Sequence, residues 1–258
     1  MTAPVVLRCT DARYRHACAE LPRRLAEAEE SRGAVVVVPG AGDWVSAAAR
    51  EIEAGATALV VADPDPSVDL DSLERIARRV PIVLDRPWFR ADLCAELGAA
   101  APEELPLALT AECIVPAGES AHVVADALGW LRVLGRGGCE VVASRRSGRA
   151  ALAQLLAGGG MPASLLVTEL ASGLGGPSIR VLALGGERVE VVTDAAANLM
   201  RVRVEDSTGS RTLPRRFESR ERLSLRRALA AVGGGEALHD AEGFARDIHA
   251  LRSISGTL

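Results

Sequence analysis

The stretch AVVVVPGAGDWVSAAAREIEAGATALVVADP, residues 34–64, decides the fold. It opens on the continuous apolar run 34–38 and closes on a second run, TALVVA, at 57–62. Runs this short and unbroken are strands buried on both faces, which is the pattern of a parallel sheet. Between them, PGAGD makes a tight turn with Asp43 placed as a helix cap, and a helix runs through Ile52. Working outward, VVL (5–7) is a first strand, followed by a helical stretch from Asp11 to about Ser31. A third helix begins with Asp71 as its expected cap, and PIVL (81–84) is a further strand. Val35–Val38 and Leu59–Val61 are the expected central strands of this α/β part.

The second half has a different rhythm. After a helix around 120–134, strands are expected near 139–143, 163–170, 178–184, 187–193, 198–206 and 210–217. In Leu199–Glu205, Arg201, Arg203 and Glu205 share one face while Met200, Val202 and Val204 share the other. Such alternation marks a half-buried antiparallel sheet. Helices at 219–232 and 240–251 close the chain. The expected fold is therefore α/β: a truncated Rossmann-like parallel sheet domain over 1–115, then an α+β domain over 116–258 with an open-faced, mostly antiparallel sheet.

Composition narrows the chemistry. All 30 basic side chains of the 258 residues are arginine and none is lysine. A Schiff base, a Walker-A lysine and a lysine general acid are thereby excluded. Aromatic residues are 3% of the chain, so the core must be aliphatic. The net charge of −4 argues against nucleic acid as the main partner, and the arginines of 211–227 read as a solvated helix face offset by Glu218 and Glu221. No apolar run reaches membrane-spanning length, and MTAPVVLRC has no signal-peptide pattern. Five scattered cysteines without metal spacing fit reduced thiols and a cytoplasmic protein, and no metal site is expected.

The segment 34–64 resembles the Gfo/Idh/MocA oxidoreductases. Val35–Pro39 resembles that family's strand and Thr-Pro turn, Glu53-Ala54-Gly55 its helix end, and Ala62-Asp63-Pro64 falls where the family has Glu-Lys-Pro. DSLERIARRVPIVLDRPWFR (71–90) resembles the next helix and strand, and ALGWLRVLGRGGCEVVAS (127–144) the opening of the second domain. The resemblance implies a Rossmann domain followed by a sheet domain, NAD(P)-dependent redox chemistry, and dimerisation through the sheet.

This chain departs from the family at four places. The glycine-rich loop after the first strand is replaced by Cys9-Thr10-Asp11-Ala12, whose aspartate would repel a phosphate. The second strand, with its ribose-binding acid, has no visible counterpart. Asp63 stands where the catalytic lysine would be. The family's D-x-x-x-H pair is reversed as His122-x-x-x-Asp126. From these departures the expected cofactor is none, with NAD or NADP as the alternative.

The candidate catalytic residues are Asp63, at a strand end that lines the ligand crevice of such folds, and the helical pair His122 and Asp126. Pro39, Arg86 and Trp88 are the candidate ligand-cleft residues, with Arg90 beside them as a second fixed cation. The leading functional expectation is an oxidoreductase-like protein that has lost dinucleotide binding and serves as a binding, regulatory or structural subunit. It would be a homodimer through the C-terminal sheet, with Arg201 and Arg203 pairing to acids such as Glu205, or a partner of a complete oxidoreductase subunit. The alternatives are a divergent NAD(P)-dependent oxidoreductase and a cofactor-independent lyase or isomerase using His122 and Asp126.

Overall fold

The computed structural model describes residues 5–22, 24–99, 104–116, 118–171, 175–235 and 237–255. The chain divides into two compact units, Met1–Pro87 with Arg216–Ala245, and Trp88–Arg215 with Arg246–Leu258. A single boundary at 115/116 is therefore not what the contacts draw, because a helix from the C-terminal region completes the first unit.

The first unit holds a five-stranded, all-parallel sheet of β1 (Val5–Arg8), β2 (Leu25–Glu27), β3 (Ala34–Pro39), β4 (Ala58–Ala62) and β5 (Ile82–Asp85). Its order is β2-β1-β3-β4-β5. Ala34, Val35, Val36, Val38 and Ala58 to Val61 are all buried, as continuous apolar strands require. Helices α1 (Ala12–Ala19), α2 (Trp44–Glu53), α3 (Leu70–Ala77) and α6 (Arg220–Val232) belong to this unit. Asp43 caps α2 by accepting the Ser46 N–H at 3.2 Å, and Trp44, Val45, Ala48 and Ile52 form its buried face. α3 is capped by Asp69, which accepts the Ser72 N–H at 2.9 Å, rather than by Asp71. Leu225, Ala228 and Leu229 of α6 join Leu7, Tyr14, Val35 and Val60 in one core.

The expected helix over 11–31 is shorter than its sequence suggests. It ends at Ala19, and β2 follows, paired in parallel with β1. A second strand, for which the sequence showed no counterpart, is thus present, three residues long and ending in Glu27. Residues 28–33 lead from β2 to β3 with no helix between them.

The second unit is built on an eight-stranded sheet. Its strands are β6 (Ala108–Pro116), β7 (Glu140–Ser147), β8 (Ala150–Ala157), β9 (Met161–Leu170), β10 (Ser178–Leu184), β11 (Arg188–Asp194), β12 (Leu199–Asp206) and β13 (Gly209–Thr212). The order is β13-β12-β11-β10-β6-β9-β8-β7, antiparallel throughout except for the parallel pair β6–β9. α4 (Ala91–Ala99) and α5 (Ser120–Leu134) also lie in this unit, and α5 packs on β6, β9 and β10. Inward residues alternate with outward ones. Leu109, Ala111, Cys113 and Val115 of β6 are buried, while Glu112 and Ile114 face out. The helix α7 (Asp240–Ser255) begins in the first unit and ends in the second.

Candidate functional site

In the first unit the C-terminal ends of the parallel strands converge on Arg8, Pro39, Ala62 and Asp85. Open α/β sheets bind ligands at this edge. The β3 and β4 ends are locked together through Gly40. Its N–H donates to the Ala62 carbonyl at 2.6 Å, and its carbonyl accepts the Asp65 N–H at 2.8 Å. A Cβ there would lie 2.5 Å from the Ala62 oxygen and 2.6 Å from the Asp63 oxygen. Pro39 is the exposed last residue of β3.

Asp63 leaves β4 with a φ of 53°, a left-handed conformation that aspartate tolerates better than most side chains. Its N–H donates to the Asp85 carbonyl at 3.0 Å. Its carboxylate sits between two arginines, Arg220 of α6 at 2.6 Å and Arg13 of α1 at 3.2 Å. The Arg220 contact is short but poorly aligned for a hydrogen bond, so it acts as an ion pair.

The same cluster continues inward. Arg13 also pairs with Asp11 at 2.8 Å. The Asp11 carboxylate caps α1 by accepting the Arg13 backbone N–H at 2.8 Å. The Arg13 hydrogen bond and charge hold Asp11 below the usual carboxylate range, and the Asp11 bond raises Arg13. Tyr14, fully buried, donates its hydroxyl to Asp85. Burial pushes the Asp85 carboxyl up to about 6, while the Arg220 charge, 3.7 Å away, and the Tyr14 hydrogen bond pull it back. Burial first and Asp85 second push the Tyr14 hydroxyl above its ordinary range. Burial would lower Arg220, but Asp85 and Asp63 more than offset it. Glu221 adds a fourth carboxylate, 3.8 Å from Arg13 and 3.7 Å from Arg220. Four carboxylates thus face two guanidiniums.

Of these groups only Asp63 was legible as a site residue. Tyr14 reads from sequence as an ordinary helix residue, and Arg220 as part of a solvated basic face. The structure corrects the second reading, since Arg220 is half-buried between Asp63 and Asp85. Arg227 likewise makes a two-pronged pair with Asp240, at 2.8 Å on both arms. Arg86 is buried in the first unit, its guanidinium 5.0 Å from the centre of the Phe244 ring.

His122, Asp126 and Trp88 lie in the second unit. His122 is half-buried in the first turn of α5. Asp126 is 2% exposed, and its carboxylate accepts the Trp88 backbone N–H at 2.8 Å. One turn further along α5, the Trp130 indole donates to the Trp88 carbonyl at 2.7 Å. Asp126 and Trp130 therefore clamp the Trp88 backbone, and Arg90 pairs with Asp92 at 2.9 Å. On the open sheet face, Arg203 pairs with Glu205 at 2.6 Å and Arg201 with Glu190 at 3.7 Å, both within the chain.

The two units, a parallel sheet and a mostly antiparallel sheet with their helices, have the fold of solved oxidoreductases. Among solved structures, the chain is similar to UDP-N-acetylglucosamine 3-dehydrogenase GnnA from Acidithiobacillus ferrooxidans, at a TM-score of 0.68 and 13% identity, covering 98% of this chain and 96% of that one. It is also similar to KijD10, a 3-ketoreductase from Actinomadura kijaniata, in complex with NADP, at a TM-score of 0.69 and 14% identity, covering 98% and 97%. The open conformation of KijD10 with TDP-benzene and NADP gives 0.67 and 14%, covering 98% of both chains. No protein-family model matches the sequence, and no curated protein sequence matches it.

The expectation of no cofactor is corrected by these NADP complexes, which make a nicotinamide dinucleotide the cofactor class associated with this fold. The residues here fit such a molecule at one end. Glu27, the exposed last residue of β2, is a carboxylate of the kind that can accept ribose hydroxyls. At the α1 N-terminus the Asp11 carboxylate would repel a phosphate, and the cations beside it are the Arg13 and Arg220 side chains. No helix among the described residues is long and apolar enough to cross a membrane.

Proposed function

We propose that this chain is an oxidoreductase-like protein of the NAD(P)-linked type that has given up lysine-dependent turnover and works as a binding, regulatory or structural subunit. The observation that carries the reading is Asp63 held between Arg13 and Arg220 at the strand end where the family resemblance places a lysine. The remaining acid–base groups of that edge are committed internally. Tyr14 and Asp85 are 0% and 4% exposed and bonded to each other, so a proton on the pair stays in the interior. When bound, the nicotinamide would supply hydride chemistry. The chain's own part would be to meet the ribose with Glu27 and the phosphates with Arg13 and Arg220, in exchange for their present carboxylate partners. The five free thiols suit a cytoplasmic setting.

The test is a titration with NADPH and NADH, read by thermal shift and by cofactor fluorescence, together with an assay for NAD(P)H formation from UDP-N-acetylglucosamine and NAD(P)+. The expected result is saturable stabilisation without turnover. Turnover would overturn the loss of catalysis, and a flat titration would overturn the dinucleotide link.

The open face of the eight-stranded sheet supports pairing with a second copy. Leu152 and Leu166 are directly opposed across β8 and β9 and are 47% and 38% exposed. Beside them lies an ionic lattice in which Glu190 meets Arg180 at 2.7 Å. An apolar patch rimmed by charges suits a twofold contact.

A further inference from the structure

The second unit contains a cavity of about 580 Å³, within the size range of small-molecule sites. Its floor is a cross-strand row, Ala183 of β10, Val189 of β11 and Val204 of β12, on the face of the sheet that α5 covers elsewhere. Its walls are Val133 and Leu134 in the last turn of α5, Leu97 near the end of α4, and Leu213. α5 packs on β6, β9 and β10 and ends at Leu134, beside this row. Val133 and Val189 are only half-buried, which is unusual for valines amid so many buried neighbours.

The rim is charged. Among the described residues, Glu96, Glu104 and Glu187 stand there with Arg136 and Arg211, an excess of one carboxylate. The carboxyl ends of α4 and α5 also open on the cavity, adding the negative pole of each helix. The β10–β11 turn passes close by. A Cβ at Gly185 would come within 3.1 Å of the Pro106 Cα, so the turn is held against the segment that carries Glu104. An apolar floor under a net-negative mouth suits a molecule with an aliphatic body and a cationic head.

We propose that this cavity is a binding site for a small amphipathic cation, an alkylammonium compound. It is independent of the strand-end cluster in the first unit, and none of its lining residues belongs to that cluster.

The full chain is titrated by calorimetry with octylammonium, octanol and octanoate, three probes that share one tail and differ in head charge, each below its aggregation threshold. Octylammonium is expected to bind with one site per chain, and at least tenfold more tightly than octanoate or octanol. Glu104→Gln with Glu187→Gln, both at the mouth, should bring octylammonium and octanol within threefold of each other. Val189→Phe, which fills the floor, should weaken octylammonium at least tenfold. Equal binding of octanol or octanoate to the wild-type chain overturns the proposal without any variant. So does unchanged octylammonium binding in a folded Val189→Phe chain.

Discussion

The hydroxyl of Tyr14 donates to the carboxylate of Asp85, joining the first helix to the last parallel strand across 71 residues. Neither side chain reaches solvent, and the Arg220 guanidinium lies 3.7 Å from the far oxygen of the carboxylate. Replacing Tyr14 by Phe leaves that carboxylate without its hydroxyl donor. The expected loss is about 1–3 kcal/mol of unfolding free energy, measured by denaturant titration.

The same carboxyl predicts a pH dependence. Its value in the folded chain, about 6, lies above the usual carboxylate value, so the folded form holds the proton more tightly than the unfolded one. The stability it contributes is full below about pH 4 and is lost as the pH rises through 6. A shift of about two pH units corresponds to about 3 kcal/mol as an upper bound. Asp85→Asn should remove this slope, which melts of both chains at pH 4, 5, 6 and 7 will compare directly.

At Asp63 the neighbours forbid a simple return to lysine. Asp63→Lys would set a third cation against Arg13 and Arg220 in a left-handed backbone position. The Asp63 carboxylate is 38% exposed, so screening limits the effect to about 2 kcal/mol of destabilisation, shrinking as salt is added. Denaturant titrations at low and high salt will check both statements.

Gly40→Ala places a methyl within 2.6 Å of the Pro64 Cα and of two backbone oxygens, none of which can swing away. The expected cost is roughly 1–3 kcal/mol, seen as a lower Tm. Gly42→Ala offers a spatial contrast, since a Cβ there meets nothing within 4 Å; its positive φ of 62° leaves conformational strain as the only cost.

The parallel sheet was legible because its strands are buried on both sides and therefore written in valine, as at Val35–Val38. The antiparallel sheet was legible where one face is wet, as in Arg201, Val202 and Arg203. β2 was hidden because Leu25-Ala26-Glu27 uses helix-favouring residues and is strand only through its pairing with β1. β8 was hidden for the same reason, since Ala150–Ala157 is alanine and leucine with one glutamine, and β7 and β9 on either side hold it extended. Asp63 could be found from its place after a buried strand. Arg220 could not, because nothing in local sequence tells which arginine of a basic helix meets a carboxylate 157 positions earlier.

Disrupting the open sheet face tests the pairing of two copies. Leu152→Arg with Leu166→Arg puts two cations at opposed, exposed positions of β8 and β9. Light scattering on the wild-type protein should give twice the 27.0 kDa chain mass, and the double variant should give the single chain mass with little change in Tm.

The helix α6 has a consequence for how the protein comes into being. Leu225, Ala228 and Leu229 complete the core around Leu7, Tyr14 and Val60, and Arg220 supplies the ion pair to Asp63. On the ribosome, all five parallel strands emerge well before this helix is translated. The nascent first unit must wait with an open core, and with Asp85 lacking the Arg220 charge, while the whole eight-stranded sheet is made. Chains released before residue 220 should therefore be sticky and protease-sensitive, and the last forty residues decide whether the first eighty-seven become a stable body.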